Sequence, residues 1–108
     1  MSKGSQVRAK DVWVVMAALN EATRIGASVS SITACGWNVV VVDDGSWDAT
    51  ADVAVGAGAI VLRHLINRGQ GAALQTGIDF AIAQHAKYVV TFDADGQHSC
   101  SDIPDMLD

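Results

Sequence analysis

The sequence predicts an α/β fold of three layers, αβα, around a mostly parallel sheet, and three observations predict it. Four short runs rich in β-branched residues recur at 12–16, 37–42, 59–62 and 88–92, each of strand length. These runs are nearly continuous in Val and Ile rather than alternating with polar residues, as strands covered by helices on both faces require. The segments between them carry apolar residues at helical spacing.

After the first run, Asn20 is placed to cap a helix whose Ala22, Ile25, Val29 and Ile32 fall at steps of three and four, with Gly36 ending it. The second run ends in Asp43-Asp44, and a shorter helix fits 48–55, capped by Ser46 or Asp48 and closed by Gly56 and Gly58. Past the third run, residues 71–85 put Leu74, Ile78, Ala81 and Ile82 on one helical face, and the small residues among them permit close approach to the sheet. The fourth run leads into an acidic loop and a new helix start at Ser101, Asp102 and Pro104. The apolar face of that helix, Ile103, Met106 and Leu107, has barely begun at Asp108, so the chain reads as part of a longer protein. The order βαβαβαβ is Rossmann-like. Right-handed crossovers bring the C-terminal ends of all strands to one edge, where open α/β sheets bind ligands.

Composition narrows the function. Half of the 108 residues are apolar and mean hydropathy is +0.25, enough for one core and contrary to disorder. Seven Lys and Arg against twelve Asp and Glu give a net charge of −5, which speaks against nucleic acid as a partner. Cys35 and Cys100 form no CxxC pair and are expected as reduced, buried thiols. His98 and Cys100 lack the partners of a soft-metal cage. The apolar stretch 12–19 follows Lys3, Arg8 and Lys10, but it is shorter than the ~20 residues of a membrane span. It also repeats downstream at domain-like spacing, unlike a secretion signal.

The loops at the ligand edge are 18–21, 43–46, 64–71 and 93–98. Asp43 and Asp44 follow four valines. They read either as an Asp-Gly turn with Ser46 as a cap, or as a clamp whose carboxylate accepts from base or ribose while the next helix offers amides to an anion. Asp93-Ala94-Asp95-Gly96-Gln97 sets three oxygen-bearing side chains at alternate positions, suited to a hard cation shared with phosphates, or else forms a plain acidic turn. Asn67-Arg68-Gly69-Gln70-Gly71 is a glycine-rich helix start that allows amides and Arg68 near a phosphate. It lacks the third glycine of a dinucleotide fingerprint, since Leu74 stands there, and the ending of a P-loop. Trp13 and Trp37 read as core. Trp47 lines a pocket or covers the sheet edge.

In order and spacing, the segments VVMAALNE from Val14, VVVVDDGS from Val39, NRGQGAA from Asn67 and TFDADGQH from Thr91 resemble family 2 glycosyltransferases over residues 12–107. DADGQH followed by Asp102-Ile103-Pro104 resembles the branch that moves sugars to dolichyl or polyprenyl phosphate. The resemblance implies a GT-A fold, with residues 1–11 as a flexible N-terminus and 12–108 as its nucleotide-sugar-binding half, truncated before the acceptor half. It implies a donor site of Ala18, Asn20, Glu21, Asp43, Asp44, Gly45, Ser46, Arg68, Gly69, Gly71 and Asp93, with Asp43 nearest the base. It further implies Mg²⁺ or Mn²⁺ on Asp93, Asp95 and Gln97, a UDP- or GDP-linked sugar as donor, and a lipid-phosphate acceptor.

The catalytic base would lie beyond Asp108, leaving this chain alone inactive, and the full protein would be cytoplasmic, peripheral to the cytoplasmic membrane face. Three positions depart from the family pattern: Ala17 for proline, Trp47 for threonine and Gln70 for a basic residue. A non-catalytic nucleotide-binding module is the alternative reading. A response-regulator receiver fits less well, because too little chain follows Asp44 for its remaining strands.

Overall fold

Four parallel strands frame the molecule in the order β3-β2-β1-β4. The computed structural model describes residues 8–94. A short 3₁₀ turn, Ala9–Asp11, leads into β1 (Val12–Ala18), α1 (Ala22–Thr33), β2 (Asn38–Asp43), α2 (Thr50–Gly56), β3 (Ile60–Arg63), α3 (Gln70–Ala83) and β4 (Tyr88–Thr91). The expected α/β architecture is therefore present, with strand bounds within two residues of the sequence reading.

The valine runs occupy the centre. Val14 pairs with Val39 on one side and Val90 on the other, and the β1–β2 ladder ends at Ala18 opposite Asp43. Val12, Val14, Val15, Val40, Val41 and Val42 have no solvent exposure, as expected of strands sandwiched between helices. The chain runs from β1 outward through β2 to β3, then returns to place β4 on the other side of β1. That reversal opens a crevice beyond the ends of β1 and β4, where a doubly wound sheet takes its ligand.

On one face, Ile25, Val29 and Ile32 of α1 pack with Val14, Met16, Val39 and Val41. These are the stripe residues that the helical spacing singled out. The other face is built differently. The row of α3 that meets the sheet is Ala73, Gly77 and Ala81, whereas Leu74 and Ile78 are half-buried on its flanks and Ile82 is 60% exposed. The expected stripe through Ile82 is thus corrected. A Cβ on Gly77 would run into Val15 Cγ1 and come within 3.2 Å of Val42 Cγ2, so α3 lies too close to the sheet for large side chains in its central row. Trp13 closes this face against Phe80, edge to face at 5.7 Å.

Two further expectations are corrected. Asn20 does not cap α1: it has φ 55°, and the first amides of the helix are satisfied from a distant loop. Glu21 N–H donates to Thr50 Oγ1 at 2.9 Å and Ala22 N–H to Asp48 Oδ2 at 3.2 Å. Cys35 is exposed beyond the end of α1 and disulfide-bonded, not a buried free thiol. Its position past the last buried turn, at Ile32, keeps it out of the core. Among the described residues, no helix is long and apolar enough to cross a membrane.

Candidate functional site

The loops after β1 and β2 are laced together. Asn20 N–H donates to Ser46 Oγ at 2.8 Å, and Asn20 Oδ1 accepts from Trp47 N–H at 2.8 Å. This reciprocal pair needs Asn20 in the left-handed region, which asparagine tolerates better than most residues. Asp43 is fully buried and turns inward. Its Oδ1 accepts from Ser46 N–H at 2.9 Å, closing the turn, while Oδ2 sits 3.3 Å from Arg63 Nε without an aligned hydrogen bond. Gly45 has φ 86°, and a Cβ there would lie 2.8 Å from Asn67 N. Only glycine lets this turn rest on the backbone of the loop after β3.

Asp44 faces the other way and organises that loop. Its Oδ1 accepts from Arg68 N–H at 2.9 Å and lies 2.7 Å from His64 Nδ1; its Oδ2 accepts from Gly69 N–H at 2.8 Å. Burial raises its pKa, but the Arg68 amide, His64 and the Gly69 amide together outweigh burial and hold the carboxyl below its usual range. Gly69, at φ 99°, is the residue from which α3 starts. Nearby, Asp48 is also held below the usual carboxylate range, chiefly by the Thr50 hydroxyl bonded to it.

A cleft of about 530 Å³ opens where these loops meet the ends of β1 and β4. Of the residues singled out from sequence, Ala18, Glu21, Asp44, Gly69 and Asp93 line it. Asn20, Asp43, Gly45 and Ser46 stand behind it as its scaffold, and Arg68 contributes its backbone amide to Asp44. Gly71 lies in the first turn of α3 and is not among the lining residues. Asp95 and Gln97, the other expected metal ligands, lie outside the described residues, as do His98 and Cys100.

The cleft adds Ala17, Leu19, Asn67, Gln70 and Ala94 to the predicted set. Asn67 and Gln70 carried no chemical signal beyond flanking glycines. Trp47 lines no part of the cleft and is 93% exposed. The exit of β4 is anchored by Ser28 Oγ–H donating to Ala94 O at 2.8 Å, which fixes the backbone beside Asp93.

Three carboxylates therefore line one cleft. Asp44 is compensated by His64 and two amides, whereas Glu21 and Asp93 face the opening with no ion pair among the described residues. The start of α3 supplies backbone N–H groups on the same wall. Such a cleft suits a ligand that brings phosphates together with a hard cation: amides and the helix end meet the anion, and carboxylate oxygen meets the metal.

The comparisons with known proteins agree with this geometry. The chain is 44% identical over 107 residues to an uncharacterised protein of Methanocaldococcus jannaschii, covering 98% of this chain and 44% of that protein. It is 34% identical to the dodecaprenyl-phosphate galacturonate synthase of Rhizobium johnstonii, covering 94% and 32%. Among solved structures, it resembles a Pyrobaculum calidifontis mannosyltransferase in complex with GDP-Man and Mn²⁺, with TM-score 0.72 and 25% identity over 90% of this chain and 31% of that one. It also resembles the Mycobacterium tuberculosis glucosyl-3-phosphoglycerate synthase in complex with Mn²⁺, UDP and glucosyl-3-phosphoglycerate, with TM-score 0.60 and 27% identity over 77% of this chain and 33% of that one. The chain spans less than half the length of these relatives. The model of the family described as "Glycosyl transferase family 2" matches residues 13–108, and with it the fold, the crevice and the relatives converge: the chain belongs to glycosyl transferase family 2.

Proposed function

We propose that this chain is the donor-binding part of a glycosyltransferase that takes a sugar from a UDP- or GDP-linked donor and passes it to an acceptor, polyprenyl or dolichyl phosphate in our reading. The observation that carries it is the cleft at the β1–β4 reversal, where Asp44, the start of α3 at Gly69 and Gln70, and Asp93 converge. In the reaction the bond from the sugar's anomeric carbon to the diphosphate breaks, the nucleoside diphosphate leaves, and the same carbon bonds to an acceptor oxygen.

Asp44 takes the base in this reading, in place of Asp43. Among the described residues its Oδ2 has one donor, Gly69 N–H, and keeps acceptor capacity for a base N–H such as uracil or guanine presents beside a carbonyl. Asp43 spends one carboxylate oxygen on the turn and has no surface to offer a ligand. Glu21 and Ala18 border the nucleotide on the β1 side. Gly69, with Arg68 and Gly71 beside it, flanks the phosphates, and Asn20, Gly45 and Ser46 hold the wall from behind.

The oxygen donors suit Mg²⁺ or Mn²⁺: Asp93 opens on the cleft, and Asp95 and Gln97 follow it at alternate positions. Such a cation, when bound, offsets charge on the diphosphate leaving group. Residues 12–108 form the donor-binding half in this scheme. The acceptor-activating base belongs to the portion of the relatives' length that this chain does not span. A lipid-phosphate acceptor places the whole protein at the cytoplasmic membrane face as a peripheral protein.

Titration calorimetry with UDP-glucose and GDP-mannose tests the reading. With Mn²⁺, one of the two donors binds, and chelation by EDTA weakens it at least tenfold, because a chain of net charge −5 repels a bare diphosphate. Equal affinity in EDTA would contradict the metal role; no binding of either donor would contradict the assignment of the cleft.

A further inference from the structure

The sequence reading left His64 without a role, and the cleft does not include it among its lining residues. We infer that His64 is a positioning residue of the donor cleft, its ring held between the Asp44 carboxylate and Thr76 of α3 so that one carboxylate oxygen stays aimed at the base. The inference rests on the donor-site reading above.

His64 directly follows β3, and its backbone N–H donates to Asp43 O at 2.9 Å, which extends the ladder by one residue and fixes where the ring emerges. The side chain is only 8% exposed. Nδ1 lies 2.7 Å from Asp44 Oδ1, and Nε2 lies 2.9 Å from Thr76 Oγ1. Thr76 Oγ1–H in turn donates to Ala72 O at 3.0 Å.

Proton accounting gives the Asp44 link a direction. Nε2 meets the Thr76 hydroxyl, and the tautomer of the ring sets which of the two donates. The Asp44 carboxylate carries no hydrogen, so Nδ1–H donates to it. Every member of the chain thus has a partner, and the carboxylate is tied through the ring to the second turn of α3.

The clamp acts on one side of the carboxylate only. Oδ1 is filled by His64 and the Arg68 amide, whereas Oδ2 has, among the described residues, the Gly69 amide alone. Fixing Oδ1 therefore sets the carboxylate plane, and with it the direction in which the remaining acceptor site of Oδ2 points. Two backbone amides from adjacent residues of a glycine loop could swing with that loop. A ring anchored on α3 cannot, because α3 is seated on β1 through Gly77.

The test compares a ligand that has a base with one that does not. Affinities of the Mn²⁺ complexes of UDP, GDP and inorganic pyrophosphate are measured by calorimetry for the wild type and for His64→Ala, His64→Asn and Thr76→Val, with thermal midpoints as a check on folding. For whichever nucleotide the wild type prefers, His64→Ala weakens binding about tenfold or more, the scale of a lost charge-assisted hydrogen bond, while pyrophosphate changes less than about twofold. His64→Asn, whose amide N–H₂ can replace Nδ1–H, recovers most of the loss. Thr76→Val, which frees the far end of the ring, costs about threefold.

Equal losses for nucleotide and pyrophosphate in folded His64→Asn and Thr76→Val would reduce His64 to a structural role and overturn the inference alone, as would unchanged nucleotide affinity in His64→Ala. A wild-type chain that binds pyrophosphate but neither nucleotide would overturn the donor-site reading and the inference with it.

Discussion

The turn after β2 and the loop after β3 border the same cleft but are held by opposite means. The turn closes on itself and on the neighbouring β1 loop through Asp43 with Ser46 and Asn20 with Trp47. The loop after β3 exposes Leu65 almost fully and Ile66 by 72%, and its described side-chain-mediated bonds to the rest of the protein run through Asp44 and His64. One region is a scaffold. The other is a guest fastened mainly by one carboxylate, which also faces the ligand. A residue with both tasks ties the shape of the phosphate wall to the aim of the base contact, so substitution there should affect stability and binding together.

Asp44→Ala has the largest expected effect on the loop after β3. It strips His64 of its buried partner and leaves the Arg68 and Gly69 amides without their acceptor, a loss of about 3 kcal/mol on the scale of truncated buried charge pairs. Amide hydrogen exchange should accelerate at 64–70 while the turn at 43–47 keeps its protection; equal acceleration in both would show that the regions are not separately held.

A smaller effect comes from pH. Because the Asp44 carboxyl sits below its ordinary value of 3.8, the stability it contributes is complete above that value and lost as pH falls through the lower folded-state value. The thermal midpoint of the wild type should therefore drop more steeply below about pH 4 than that of Asp44→Asn, and parallel curves would contradict the assignment.

Ser46→Ala is the mildest probe. It removes the acceptor for Asn20 N–H and costs about 1 kcal/mol, with faster exchange at Asn20 and no change in the loop after β3. Loss of protection across 64–70 would show that the turn supports the loop more than the comparison allows.

Much of this arrangement was legible in the residues. Uninterrupted valines could only be central strands, and glycine, asparagine and aspartate clusters marked the loops that the topology gathers at one edge. The sequence could not separate Asp43 from Asp44. Adjacent side chains leave a strand end in opposite directions, and which one meets the cleft depends on the pairing of Ala18 with Asp43, a tertiary fact. The inner row of α3 was missed for a related reason: hydrophobicity ranks Ile82 above Gly77, but close packing admits only the smaller residue. Asn20 looked like a helix cap because its usual local role is to serve one, yet the caps of α1 come from Asp48 and Thr50, more than two dozen residues away. His64 stood in a predicted loop with nothing nearby in sequence to name its partners, Asp44 and Thr76.

Amide chemical-shift mapping by NMR locates the nucleotide on the chain. When the preferred nucleotide is added with Mg²⁺, the account predicts that the largest shifts fall at Ala18, Asp44, Arg68, Gly69 and Asp93, with the opposite sheet edge around Lys10, His85 and Lys87 unmoved. Shifts concentrated at that opposite edge, or binding that leaves Asp44 and Gly69 unperturbed, would contradict it.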